Sequence, residues 1–181
     1  LGAVLWACAL LLAGVAACAA CLPEAPLRAG TMPATQSLRD ILRSRPVAGL
    51  FGAAFFMSCA HGALYVFYSI HLDEHGYSKS VIGGLWTLGV LAEIVVFLVM
   101  PWLLRRFTLR AMLLTALLAA VVRFQIIGWA VESPVWLVGG QLLHGLTFGA
   151  FHACSVAALN QWFDARQQAR AQALYGSASF G

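Results

Sequence analysis

VIGGLWTLGVLAEIVVFLVMPWLL, residues Val81 to Leu104, runs for 24 residues with one charge, Glu93. A helix rises about 1.5 Å per residue, so this stretch measures about 36 Å, enough to cross a hydrocarbon core roughly 30 Å thick. Comparable runs lie on both sides of it. Leu1 to Leu22 carries no charge, Val47 to Leu72 has only His61 and His71 as ionisable groups, Ala111 to Val131 only Arg123, and Pro134 to Phe163 only histidines. Five spans result, and a further apolar run begins near Ala171. Overall 61% of the residues are hydrophobic and 10% are charged, against roughly a quarter charged in a soluble domain. The expected fold class is an all-α membrane protein. The chain starts without Met and stops eleven residues into its last apolar run, so the expectation is a fragment. The first span lacks the basic leading region of a signal peptide.

The cations set an orientation. Arg28, Arg39, Arg43 and Arg45 fall between the first and second spans, Arg105, Arg106 and Arg110 between the third and fourth, and Arg166 and Arg170 after the fifth. The alternate loops hold only Lys79. The excess of arginine marks the first, third and fifth loops as cytoplasmic. The net charge of +4 thus reports topology, and its division among loops argues against a nucleic-acid partner.

Residues 23–46, rich in Pro, Ala, Thr and Arg, are long for a helix connection and suit a linker between two bundles. Within them SLRDILR places Leu38, Ile41 and Leu42 on one face behind Ser37, as in a short interfacial helix; a disordered linker is the alternative. The CAAC at Cys18 to Cys21 has no βαβ context and reads as packed thiols. No metal-ligand spacing occurs. Nucleotide-binding G-x-x-x-x-G-K-[ST], H-E-x-x-H and G-x-S-x-G patterns are missing from the sequence, so no cofactor or hydrolytic enzyme activity is expected.

Depth brings the ionisable residues together. Glu93 and Arg123 each lie twelve residues in from opposite span ends, roughly 18 Å; His144 and His61 lie roughly 15 and 21 Å in. All four converge near the midplane, where charge is costly and normally functional. Glu93 and Arg123, on consecutive antiparallel spans, are expected to pair; the alternative is an ion pair that only fixes helix register. Helical spacing surrounds them with polar-tipped aromatics. His61, Tyr65 and Tyr68 share one face, Trp86, Gly89, Glu93 and Phe97 a second, and Gln141, His144, Phe148 and Phe151 a third. Such lining suits a cavity for an amphipathic organic solute, although aromatics at this spacing also serve as plain packing. Gly83, Gly84, Gly89, Gly139, Gly140, Gly145 and Gly149 permit close helix approach.

HGALYVFYSIHLDEHGYS from His61, VIGGLWTLGVLAEI from Val81, VVRFQIIG around Arg123 and QLLHGLTFGAFHAC from Gln141 together resemble the phenylpropionic acid permease group of the major facilitator superfamily. More distantly they are similar to lactose permease. The resemblance implies a twelve-helix transporter of two six-helix bundles working by alternating access. Residues 1–22 would be the last helix of the N-terminal bundle, 23–46 the central cytoplasmic linker, and 47–181 an incomplete C-terminal bundle; the chain would cover about the sixth to the eleventh helix. In such a fold the seventh and tenth helices correspond through inverted repeats, so HGALY at His61 and HGLTF at His144 would be one cavity-lining device used twice.

By the same resemblance, Glu93, Arg123 and His144 would handle a coupled proton. His61, Tyr65, Tyr68, Trp86, Gln141 and Phe148 would border a small-molecule substrate. Partners would be the lipid bilayer of a bacterial inner membrane and the N-terminal bundle of the same protein. Two departures stand. Thr147 occupies the position of the tenth-helix carboxylate in lactose permease, and PWLLRRFTLR keeps only the arginines of the usual cytoplasmic loop motif. The solute suggested is an aromatic carboxylate such as phenylpropionate, with a sugar or nucleoside as alternative. Two other classes stay open: a haem-binding electron carrier using His61 and His144 as axial ligands, and a receptor or scaffold that moves nothing.

Overall fold

A computed structural model describes residues 44–163 and 165–180. The expected first span, residues 23–43 of the expected linker with its SLRDILR helix, the CAAC stretch and Arg28, Arg39 and Arg43 lie outside the described residues.

Five helices follow in order: α1 Arg45–Glu74, α2 Lys79–Arg106, α3 Leu109–Trp129, α4 Pro134–Trp162 and α5 Ala165–Phe180. Local chemistry sets each boundary. Pro46 and Pro134 stand in the first turns of α1 and α4, where a missing N–H costs nothing and φ is already helical. Ser78 Oγ accepts from Val81 N at 3.4 Å to open α2, and Thr108 Oγ1 accepts from Ala111 N at 3.2 Å to open α3. After α1 the chain turns at Gly76, whose φ of 81° suits a residue without a Cβ. The connections are only a few residues long, which makes consecutive helices antiparallel neighbours.

α1 to α4 are long and apolar enough to cross a membrane, as the composition requires, and their ends lie close to the expected span limits. The fifth helix departs from expectation. It begins at Ala165 rather than near Ala171, because ARQQAR consists of good helix formers that extend the helix ahead of its apolar part. α4 departs too. Its middle, Gly145–Ala150, is wound as a π-turn between α-helical segments Pro134–Leu142 and Phe151–Trp162.

α4 is the centre of the bundle. In its most apolar window 56% is buried, against 11% for α2. One core group joins α1, α3, α4 and α5 through Leu50, Ala54, Ala116, Phe151, Ala158 and Tyr175. Another joins α1, α2, α3 and α4 through Leu64, Tyr68, Leu72, Leu85, Ile127 and Leu137. The outer face of α2 carries exposed Val90, Leu91, Ile94, Val95 and Leu98. A soluble domain would not leave that surface in water, whereas hydrocarbon solvates it at no cost.

Candidate functional site

Glycine brings α2 and α4 together at the π-turn. A Cβ on Gly145 would meet the Ala92 carbonyl oxygen at 2.6 Å, one on Gly149 would meet Glu93 Cγ at 3.1 Å, and one on Gly89 would meet Gln141 Oε1 at 2.8 Å. Backbone therefore lies against backbone where Glu93, His144 and Gln141 project. A π-turn at such a place is typical of functional positions, since the wider turn redirects side chains within a helix.

Arg123, on α3, is completely buried. Its Nε donates to the Gly140 carbonyl at 3.0 Å and its Nη2 to Gln141 Oε1 at 3.4 Å. Nη1 donates to His61 Nε2 at 3.1 Å and to Thr147 Oγ1 at 3.3 Å. A guanidinium has no acceptor, so His61 Nε2 must be the bare nitrogen. The proton then sits on Nδ1, which donates to the Met57 carbonyl at 2.9 Å; the tautomer is thus assigned from the network. Thr147 Oγ1 also lies 3.3 Å from the His144 carbonyl and 3.5 Å from His61 Nε2. Three helices meet through one cation.

The expected Glu93–Arg123 pair does not form. Glu93 Oε2 instead faces His144 Nε2 at 3.8 Å. The reason is geometric: the close α2–α4 seam lays Glu93 over Gly149 and beside His144, while Arg123 is turned toward Gly140, Thr147 and α1. Arg123 is consequently held by neutral acceptors and not by a carboxylate.

Rings enclose this network. His144 stacks on Phe148 with centroids 5.5 Å apart, and His61 lies 5.9 Å from His144, 5.8 Å from Phe148 and 5.6 Å from Phe124. Tyr65 and Tyr68 flank Trp86 at 5.7 and 5.2 Å, and Trp86 Nε1 donates to Ser69 Oγ at 3.0 Å. His61, Tyr65 and Phe148 border an open groove of about 430 Å³ with Phe55, Ser58 and residues of α5. Tyr68, expected on the same lining face, is 2% exposed, while Tyr65 is 48% exposed. One turn of α1 separates the two, and Tyr68 goes into the core beside Trp86. Gln141 is likewise enclosed, its Oε1 accepting from Arg123.

Both nitrogens of His61 are engaged, which leaves none for an axial bond to haem iron. Phe124 and Ser69, as well as the α5 side chains on the groove, were not singled out in the sequence. Ser69 and Phe124 each lie next to a chosen residue in the chain, but only packing reveals which neighbour turns inward.

The model of the MFS_1 like family matches residues 2–181. A protein of Escherichia coli (strain K12) named "Probable 3-phenylpropionic acid transporter" is 38% identical over 135 residues, covering 70% of this chain and 34% of the relative. A second from the same organism, named "Putative nucleoside transporter YegT", is 28% identical over 138 residues, covering 74% of this chain and 32% of the relative. The chain spans about a third of the length of these curated relatives. No solved structure matches it significantly. With its membrane-length helices, inward-facing polar cluster and near-complete family match, this chain is a multi-pass integral membrane protein that belongs to the MFS_1 like family of the major facilitator superfamily.

Proposed function

We propose that the chain forms an incomplete C-terminal bundle (residues 47–181), the linker (23–46) and the preceding helix of a proton-coupled symporter in a bacterial inner membrane, carrying a small aromatic carboxylate by alternating access. The observation that carries the proposal is the buried Arg123–His61 contact at the wall of an aromatic groove. Arg123 is sealed from the groove, so its charge acts on a solute through His61, which is shared by both. Tyr65 and Phe148 offer ring faces to an aromatic body, and the positive cluster behind His61 favours an anionic end in a medium that screens little.

Glu93 and His144 supply the second part. Their 3.8 Å approach is a pair that one proton can make or break, beside the seam where α2 and α4 touch. Protonation of Glu93 would release His144 and its stacked partner Phe148, which borders the groove, so proton and solute would bias the same helix pair. Arginine-bearing loops facing the cytoplasm, surrounding lipid and an N-terminal six-helix bundle complete the assembly proposed.

A nucleoside is the second reading, favoured by the relative of that name and by ring stacking that accepts any flat heterocycle. Uptake of labelled 3-phenylpropionate and of labelled nucleosides by the full-length protein in vesicles, with and without an imposed pH gradient, separates the two. Accumulation of 3-phenylpropionate driven by an acid-outside gradient is expected. Gradient-independent equilibration would remove proton coupling, and nucleoside-only uptake would remove the carboxylate.

A further inference from the structure

Below the arginine cluster, on the side of α4 that leads to Trp162, lies a small, partly open chamber that shares Ser58, His61, Phe148 and Ser179 with the groove. It holds about 30 Å³ and is walled by Ser58, His61, Thr147, Phe148, His152, Tyr175 and Ser179, with Met57 and Phe151. Space of that size admits one or two water molecules, and a water persists in a buried place only where it finds two to four polar partners. Here the partners are present. Ser179 Oγ is buried with no hydrogen-bond partner among the described residues, Ser58 lines the same space, and His61 Nε2 joins them once it no longer accepts from Arg123. At the far side Tyr175 Oη and His152 Nδ1 stand 3.4 Å apart, with their rings 5.7 Å apart. The chamber thus connects the midplane histidine to a second histidine that the proposed coupling does not use.

His152 lies eight residues beyond His144 on α4, about 12 Å farther along the axis, in the direction of the arginine-bearing end. We propose that this chamber binds a bridging water, and that His61, the water, Tyr175 and His152 form the route by which a coupled proton leaves the midplane cluster toward the cytoplasm. The inference rests on the proton-coupled reading above and deepens it. When His61 carries a proton on Nε2 it can no longer accept from Arg123, so the 3.1 Å contact observed is that of the discharged imidazole. Discharge runs in a balanced sequence. His61 Nε2 gives its proton to the water oxygen, and the water gives one of its own to Tyr175 Oη. Tyr175 passes its hydroxyl proton to His152 Nδ1. Water and tyrosine are regenerated, one proton has moved, and neutral His61 again accepts from Arg123. Among the described residues, the charged groups and imidazoles around this route are Arg123 from α3, against His61 and Thr147, His144 from α4, its ring 5.9 Å from that of His61, and Glu93 from α2, behind His144.

The test uses the full-length protein in proteoliposomes with a trapped pH dye and 3-phenylpropionate as probe, reading proton entry and solute exchange separately. Exchange needs only the loaded carrier to reorient, so it does not call on the exit route. Tyr175→Phe and His152→Asn should slow solute-driven proton entry about tenfold or more, the size of effect usual for a lost proton-transfer group, with exchange nearly unchanged. Proton entry at the wild-type rate in His152→Asn, or proton entry and exchange falling together in both variants, would overturn the relay while leaving coupling intact. A wild-type protein that moves 3-phenylpropionate with no proton would overturn the coupling reading and the relay together. Independently of any solute, an experimental map of the full chain that resolves ordered waters should show one touching Ser179 Oγ; a chamber closed by side chains there would refute the route.

Discussion

Arg123 Nη1 lies 3.1 Å from His61 Nε2, and both side chains are buried, at 0% and 3% exposure. Two groups that can each be cationic therefore share one hydrogen bond, which exists only while the histidine is neutral. Around it Gly140, Gln141 and Thr147 supply the remaining acceptors, so the guanidinium is satisfied by hydrogen bonds although no carboxylate meets it. A buried charge held in this way is sensitive to the loss of any one acceptor, because the alternative is an unpaired donor in a low-dielectric interior.

His61→Ala removes one of those acceptors and should lower thermal stability in detergent by about 1–3 kcal/mol. Arg123→Lys should fail to restore uphill uptake, since an ammonium cannot reach Gly140, Gln141 and Thr147 from one point as the planar fork does. Melting curves and vesicle uptake check the two statements. Full activity in Arg123→Lys would show that charge alone is needed.

Glu93 and His144 should couple energetically, and Glu93 and Arg123 much less. In double-mutant cycles with Glu93→Gln, His144→Asn and Arg123→Gln, the 3.8 Å pair is expected to give an interaction of about 0.5–3 kcal/mol, the range for residues in contact. Glu93→Gln alone should abolish pH-driven accumulation while exchange continues. A larger coupling of Glu93 to Arg123 would mean that the pair expected from depth alone forms in the membrane.

Gly145→Ala should be the most damaging of the glycine changes. Its Cβ would fall 2.6 Å from the Ala92 carbonyl oxygen, backbone that cannot swing away, so α2 and α4 must part at a cost of about 1–3 kcal/mol. Gly89→Ala meets a side chain instead, Gln141 at 2.8 Å, and should disturb Arg123 more than the fold. Gly139→Ala, with nothing within 4 Å, should be neutral or gain up to about 1 kcal/mol. Thermal shifts rank the three.

Tyr65 and Tyr68 should separate by phenotype. Tyr65→Ala, on the groove, is expected to weaken solute binding with little loss of fold. Tyr68→Ala, in the core beside Trp86, should cost about 3–5 kcal/mol, as for other large buried aromatics. Val66→Ala, at a 60% exposed position, should do neither. Binding isotherms and melting temperatures measured together distinguish these outcomes.

In a background without native Cys, Lys79→Cys should react with an impermeant thiol reagent added outside cells and Arg105→Cys should not, as the arginine bias requires. The opposite labelling pattern would invert the orientation of every helix.

The sequence by itself determined the membrane, the number and limits of the spans in residues 44–163, and the family. These rest on properties summed along the chain: apolar length against bilayer thickness, cations at alternate ends, and prolines, serine and threonine at helix starts. It also brought Glu93, Arg123, His61 and His144 to one depth, because position along a helix is distance through the membrane. What it could not specify was rotation about each helix axis. Glu93 meets His144 and not Arg123 because Gly145 and Gly149 let α2 settle onto α4. Tyr65 opens to the groove while Tyr68, three residues on, is enclosed. The π-turn and the chamber before His152 likewise exist only once α1, α3 and α5 press on α4. Depth is one-dimensional and legible in a string of letters; azimuth is set by which faces of several helices fit together, and that is a property of the packed molecule alone.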